Sequence, residues 1–189
     1  MQRLVLLALI AGFVAVTPNL AQDKQKDPVV VIDTSKGKIT VELFEEKAPI
    51  TVKNFLRYVD AKHYDNTIFH RVIADFMIQG GGYDPNFKEK ETYQGIKNEA
   101  GNGLLNKRGT IAMARTKDPD SATAQFFINT VDNSFLDRAN AKDKFGYAVF
   151  GQVIDGMDVV DAIRRVRTSG KDVPVEPIVI RSVRRVEKK

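Results

Sequence analysis

The sequence predicts a mainly β fold, a closed eight-stranded antiparallel β-barrel capped by two α-helices. Three observations predict it. Short apolar runs with a period of two recur along the chain between Gly-, Pro-, Asp- and Asn-containing breaks. Only two segments carry apolar residues at helical spacing. The strands do not alternate with helices, as a doubly wound parallel sheet would require.

The elements follow in order. VVVIDTSKGKITVELF reads as a hairpin turning at Ser35-Lys36-Gly37, with Ile39, Val41 and Leu43 on one core-facing side. From Pro49 to Val59 the period changes. Val52, Phe55, Leu56 and Val59 form one helical stripe, and Pro49 sits in the first turn, where a missing N–H costs nothing. Further strands are expected at Thr67–Ile73, Phe76–Gln79, Thr110–Ala114, Gln125–Asn129, Tyr147–Val153 and Ile178–Val186. A second helix follows Gly156, carried by Met157, Val160 and Ile163 with Val159 and Val166 beside them. The many large apolar strand residues suggest a filled barrel, which argues against an apolar-ligand carrier.

The chain of 189 residues, 43% hydrophobic, suits one domain. The formal charge of +5 is mild, and Lys and Arg alternate with Asp and Glu throughout, so a solvated surface rather than a nucleic-acid partner is expected. Arg3, the apolar run Leu4 to Val16 and the small Ala21 before polar QDKQKDP fit a secretory signal peptide, residues 1–21. The run is short for a bilayer span. Asn19 makes the cleavage site imperfect, so an uncleaved N-terminal anchor is the alternative. Residues 22–28 read as a polar linker and 29–189 as the folded domain. The absence of Cys removes disulfides, thiol nucleophiles and thiolate metal sites. With no Asn-x-Ser/Thr acceptor, the chain leans towards a bacterial envelope location, the periplasm, with no membrane contact beyond the signal segment.

Several chemistries find little support. His63 and His70 are the only two histidines, no Gly-x-Ser-x-Gly elbow occurs, and neither a Ser/His/Asp site nor a metal site can be assembled from their spacing. No metal and no cofactor is expected, and His70 reads as a satisfied structural residue. Gly80 to Gly82 lacks the Lys-Ser/Thr and the helix of a phosphate loop, so those glycines read as a sharp turn or a close approach of another backbone.

What stands out is FHRVIADFMIQGGGY, Phe69 to Tyr83, where Arg71 and Gln79 interrupt an apolar pattern. Strict alternation puts Phe69, Arg71 and Ile73 on one face and, after the Ala74-Asp75 bend, Met77 and Gln79 on one face. In QFFIN, Gln125 and Phe127 share a face. Two amides, one guanidinium and several apolar groups can thus line a shallow site. Taken singly, a wall salt bridge for Arg71 and core packing for Met77 and Phe127 are the simpler readings.

Together with GTIAMARTKDPDSATAQFFINT, FLD and FGYAVFGQVIDGMDVVDAI, that run resembles the cyclophilin family of peptidyl-prolyl cis/trans isomerases, especially its bacterial exported members. The resemblance extends from about Val29 to Val186. It implies the same capped barrel and an outer-face site for proline-containing segments of unfolded or partly folded proteins. It implies catalysis by Arg71, supported by Gln79, and a proline pocket of Phe76, Met77, Phe127 and Leu136. Gln125 is the second site glutamine, Ala114 and Arg115 offer backbone contacts, and Phe135 and Tyr147 border the pocket. Three departures accompany it. Ala74-Asp75 stands where the family usually has Pro-Gly, so the bend is set differently or is more mobile. Phe135 stands where cyclosporin-sensitive members have Trp, which implies weak cyclosporin binding. Tyr147 stands where many eukaryotic members have His.

These residue types suit the reaction. Amide resonance holds the Xaa-Pro barrier at about 18–20 kcal/mol. A rate on the order of 10³ s⁻¹ needs about 13, a saving of roughly 6. No bond breaks, so a guanidinium directed at the pyramidal proline nitrogen of the twisted state is enough in kind, since it stabilises that state more than the planar one. An arginine fork can bind Gln79 while donating to substrate, whereas Lys could not. The expected function is therefore a prolyl isomerase, a monomer of broad specificity assisting the folding of exported proteins. The alternative is a proline-binding chaperone or scaffold with weak or no catalysis.

Overall fold

The computed structural model describes residues 27–187. The expected signal peptide, and residues 22–26 of the expected linker, lie outside them. Asp27 and Pro28 are already tied to the domain, through Glu45 N–H to Asp27 Oδ1 at 3.1 Å and Leu43 N–H to Pro28 O at 2.8 Å.

β1 (Val29–Thr34) and β2 (Gly37–Leu43) form the expected hairpin, pairing Val30 with Val41 and Ile32 with Ile39. Alternation sends these four and Leu43 fully inside. Gly37 closes the turn at φ 134°, and a Cβ there would stand 2.7 Å from Val159 Cγ2.

Helix α1 (Pro49–Asp60) lays Val52, Phe55, Leu56 and Val59 into the core. Its N-cap residue, Ala48, offers no side-chain acceptor. The Glu99 carboxylate serves instead, accepting from Ile50 N–H at 3.1 Å and Thr51 N–H at 2.7 Å, where the helix dipole also favours an anion.

The remaining strands are β3 (Thr67–Ile73), β4 (Met77–Gly80), β5 (Thr110–Met113), β6 (Phe126–Asn129), β7 (Val149–Asp155) and β8 (Val179–Arg185). They close antiparallel in the order β1-β2-β7-β5-β6-β4-β3-β8. α2 (Met157–Arg164) starts at Gly156, φ 86°, and buries Val160 and Ile163. Phe55, Tyr64, Phe69, Phe126 and Phe150 fill the interior, with Phe126 packed edge-on to Phe55 at 5.7 Å and to Phe69 at 6.0 Å. A filled interior moves any ligand site to the outside.

The structure corrects strict alternation along β3. The β3–β4 register shifts between Phe69 and Arg71: Phe69 pairs with Gly80 and Arg71 with Gln79, so the extra residue His70 forms a bulge. Phe69 therefore points inward and is fully buried, while Arg71 and Ile73 point outward. The inserted residue reverses the face of everything after it. Five other expected strands shift by one or two residues at their ends, leaving Phe76, Ala114, Gln125, Tyr147, Ala148, Ile178 and Val186 outside them. Phe76 and Tyr147 make local rather than ladder bonds, Phe76 N–H turning back to Ile73 O at the end of β3 at 3.1 Å and Tyr147 N–H donating to Leu136 O at 2.9 Å.

Candidate active site

The register places one row of outward-facing residues across five strands. Arg71 on β3 pairs with Gln79 on β4, Gln79 with Phe127 on β6, Phe127 with Ala112 on β5, and Ala112 with Val149 on β7. Directly opposed residues share a face. The row thus runs from cation through amide to apolar surface.

Its apolar end is a second hydrophobic cluster separate from the barrel interior. Met77, Ala112, Phe127, Leu136 and Val149 are buried in it, with Ile73, Phe76, Leu104, Ala114 and Tyr147 packed on them. Phe127 meets Tyr147 edge-on at 5.8 Å. Phe135 lies over Phe76 at 5.5 Å and stays 57% exposed, which makes it a rim. The expected pocket residues are therefore assembled. Leu104, Ala112 and Val149 join them without a sequence signal beyond apolarity, and Ile73 joins them from the face that alternation gave it beside Arg71.

Side chains in the polar half are committed in ways the sequence did not disclose. Gln79 Nε2 donates to Gln125 Oε1 at 3.0 Å, and no hydrogen bond joins Gln79 to Arg71. The expected Gln79–Arg71 support is thus not formed. Arg71 turns to a carboxylate from the loop before β8 instead, its Nε lying 3.7 Å from Asp172 Oδ2. Gly82 makes room for Gln125, whose Cγ would lie 2.5 Å from a Cβ built there. Close approach, not phosphate binding, explains that glycine.

Arg115 is fixed by others: its Nε donates to Gly146 O at 3.0 Å, its Nη2 binds Asp143, and its guanidinium lies 4.4 Å over the Tyr147 ring. The side chain is almost wholly buried, leaving this segment its main chain for ligand contact. The same guanidinium, with the N–H groups of Phe145 and Gly146, holds the Asp143 carboxyl down at about 2.

His70 is not the satisfied residue expected. Its Nδ1 is buried with no partner, and the ring packs against Tyr83 at 4.8 Å. Burial, then the adjacent Arg71 charge, lowers its pKa to about 4, so it is neutral at pH 7.

Buried amides hold the pocket rim. Asn133 Nδ2 donates to Phe76 O at 2.8 Å and to Asn129 Oδ1 at 2.7 Å. Asn129 reaches Thr110 Oγ1 at 2.9 Å, and Asn106 reaches Asp137 Oδ1 at 3.0 Å. The Ala74-Asp75 bend is tied too: Ala74 O accepts from Thr130 Oγ1 and from Arg164 Nη1, both at 2.9 Å.

Residues 29–185 match the cyclophilin type peptidyl-prolyl cis-trans isomerase/CLD family. This chain belongs to the cyclophilin family. It is 57% identical over 160 residues to peptidyl-prolyl cis-trans isomerase B of Escherichia coli, covering 82% of this chain and 98% of that protein. It is 56% identical over 160 residues to the Streptomyces antibioticus isomerase cyp18, covering 82% and 96%. A crystal structure of a Cryptosporidium parvum cyclophilin type isomerase superimposes with TM-score 0.73 at 27% identity, covering 86% of this chain and 99% of that one. A related crystal structure of that isomerase was determined in the presence of the dipeptide Ala-Pro. As a cyclophilin, this chain carries the family's barrel and, on its outer face, the cation–amide–apolar row described above.

Proposed function

We propose that this cyclophilin accelerates rotation about Xaa-Pro bonds by seating proline on the Met77–Phe127–Leu136 surface and directing Arg71 at the prolyl nitrogen. The observation that carries the reading is the outward row in which Arg71 pairs with Gln79 and Gln79 with Phe127. Phe127 stands two strands from Arg71, roughly 10 Å along the row at about 5 Å per strand, a gap that the long arginine side chain and a proline ring seated on Phe127 span together. The apolar surface excludes water from the ring, and the donor meets the nitrogen only once resonance is lost. Purified chain that fails to accelerate isomerisation of a short Xaa-Pro peptide would refute this.

The client segments are proline-containing stretches of unfolded or partly folded exported proteins, reached in the periplasm after cleavage of residues 1–21. The Leu4–Val16 run behind Arg3 and the lack of Cys support that location. Cell fractionation with N-terminal sequencing tests it: protein retained in the membrane with Met1 intact would favour the anchored form. The chain works as a monomer, a reading supported by Arg71, Gln79 and the apolar surface being brought together within one barrel. It binds cyclosporin weakly, since Phe135 offers no indole N–H.

A further inference from the structure

We infer that Asp172 is a positioning residue that orients the Arg71 guanidinium. The inference rests on the reading of Arg71 given above. Arg71 Nε lies 3.7 Å from Asp172 Oδ2, and the glutamine opposite Arg71 is bonded to Gln125 instead. Asp172 is the carboxylate paired with Arg71 among the described residues.

The backbone is built to hold Asp172 there. Its carbonyl accepts from Val72 N–H at 2.8 Å, one residue beyond Arg71 on β3. Its own N–H donates to Ser169 O at 3.1 Å, and Ser169 N–H donates to Val173 O at 2.8 Å, closing a tight loop between the bridged residues Thr168 and Pro174. Asp172 itself sits at φ 61°, the left-handed region that Asp and Asn tolerate better than other side-chain-bearing residues. The loop and the strand that carry the two charges are therefore locked in register.

The geometry divides the guanidinium. At 3.7 Å the carboxylate forms an ion pair rather than a hydrogen bond with Nε, so it draws that edge of the guanidinium towards the loop and leaves Nη1 and Nη2 for the substrate. Both side chains are nearly half exposed, at 42% and 47%, so the pair is weak enough to be screened and to yield to a ligand. Asp172 touches no reacting atom and acts only through Arg71.

The test is the isomerisation of an uncharged Ala-Pro peptide by the mature chain and by Asp172→Asn, a change that keeps the left-handed loop and removes the charge. Asp172→Asn is expected to lower kcat about two- to fivefold, with KM within about twofold. Wild type at about 1 M salt, where the screening length is about 3 Å, should fall to the variant's kcat, while the variant itself is insensitive to salt. The salt arm is read on wild type alone, and a wild-type kcat unchanged by salt would overturn the role of Asp172 even if the variant folds poorly. In an Arg71→Ala background Asp172→Asn should change nothing. Equal kcat for wild type and variant at low salt, a faster variant, or a loss that persists in the Arg71→Ala background would each overturn the role of Asp172. Full activity in Arg71→Ala alone would instead overturn the reading of Arg71.

Discussion

The Asn133 side-chain amide donates to the main-chain carbonyl of Phe76 at 2.8 Å, joining the loop that carries Phe135 and Leu136 to the bend that carries Phe76. This buried amide thus ties the two halves of the pocket rim to each other, and its second hydrogen goes to Asn129 Oδ1 at 2.7 Å.

Asn133→Ala strands one buried acceptor, Asn129 Oδ1, and takes one of two donors from Phe76 O, which keeps the Thr130 N–H at 3.0 Å. A cost of about 1–3 kcal/mol in urea unfolding is expected. In the folded variant KM should rise more than kcat falls, because proline seating loosens while Arg71 is untouched. Unchanged stability and KM would show the amide network to be incidental.

The Ala74-Asp75 bend gives a paired prediction. Arg164 reaches Ala74 O at 2.9 Å and Asp161 at 2.8 Å, whereas its contact to Asp75 is 3.3 Å with that carboxylate 89% exposed. Arg164→Ala should cost about 1 kcal/mol and raise KM by freeing Phe76. Asp75→Ala should stay within about 0.5 kcal/mol with unchanged kinetics. Chemical denaturation and peptide titration of the two variants separate backbone clamping from the surface ion pair.

His70 predicts a pH dependence. Its folded pKa is depressed to about 4, largely by burial and further by Arg71, against an ordinary value of 6.5. Between those values the unfolded chain holds a proton that the folded chain does not, so stability is full above about pH 6.5 and declines towards pH 4, by on the order of 3 kcal/mol. His63, also lowered by burial, adds a slope of the same sign. The carboxyls of Asp60, Asp65, Asp143 and Asp161 are likewise depressed, so their contribution disappears only as pH falls below their ordinary 3.8, down to about 2 for Asp143. Unfolding midpoints from pH 7 to 4 for wild type and His70→Gln check this: the variant should have the flatter profile.

Much of the architecture was legible because burial writes itself into alternation, as at Ile39, Val41 and Leu43. The bulge at His70 was not, since inserting one residue leaves composition unchanged while turning Phe69 in and Arg71 out. Pocket residues were legible as a set through family motifs. Their hydrogen-bond partners were not, because Gln79 finds Gln125 across strands and Arg71 finds Asp172 about a hundred positions away in a loop with no periodic signal. Glu99, which caps α1 from 48 residues beyond Thr51, was hidden for the same reason.

Phe135 offers a gain-of-binding test. Its ring sits over Phe76 and stays 57% exposed, so an indole fits the space at the rim. Phe135→Trp adds one donor, and a net hydrogen bond of about 1 kcal/mol corresponds to cyclosporin binding tighter by about fivefold. Calorimetric titration of both proteins gives the ratio; equal affinity would count against Phe135 as a determinant of cyclosporin binding.

The central claim is that the Arg71 guanidinium lowers the rotation barrier. The most direct measurement is the catalysed cis-to-trans rate on an Ala-Pro peptide for wild type, Arg71→Ala and Arg71→Lys at equal folded concentration. Loss of kcat by about 10²–10³ in Arg71→Ala, with partial activity in Arg71→Lys and unaltered peptide binding in both, is the predicted result. Wild-type rates in Arg71→Ala would contradict the account and leave the apolar surface alone as the source of any acceleration.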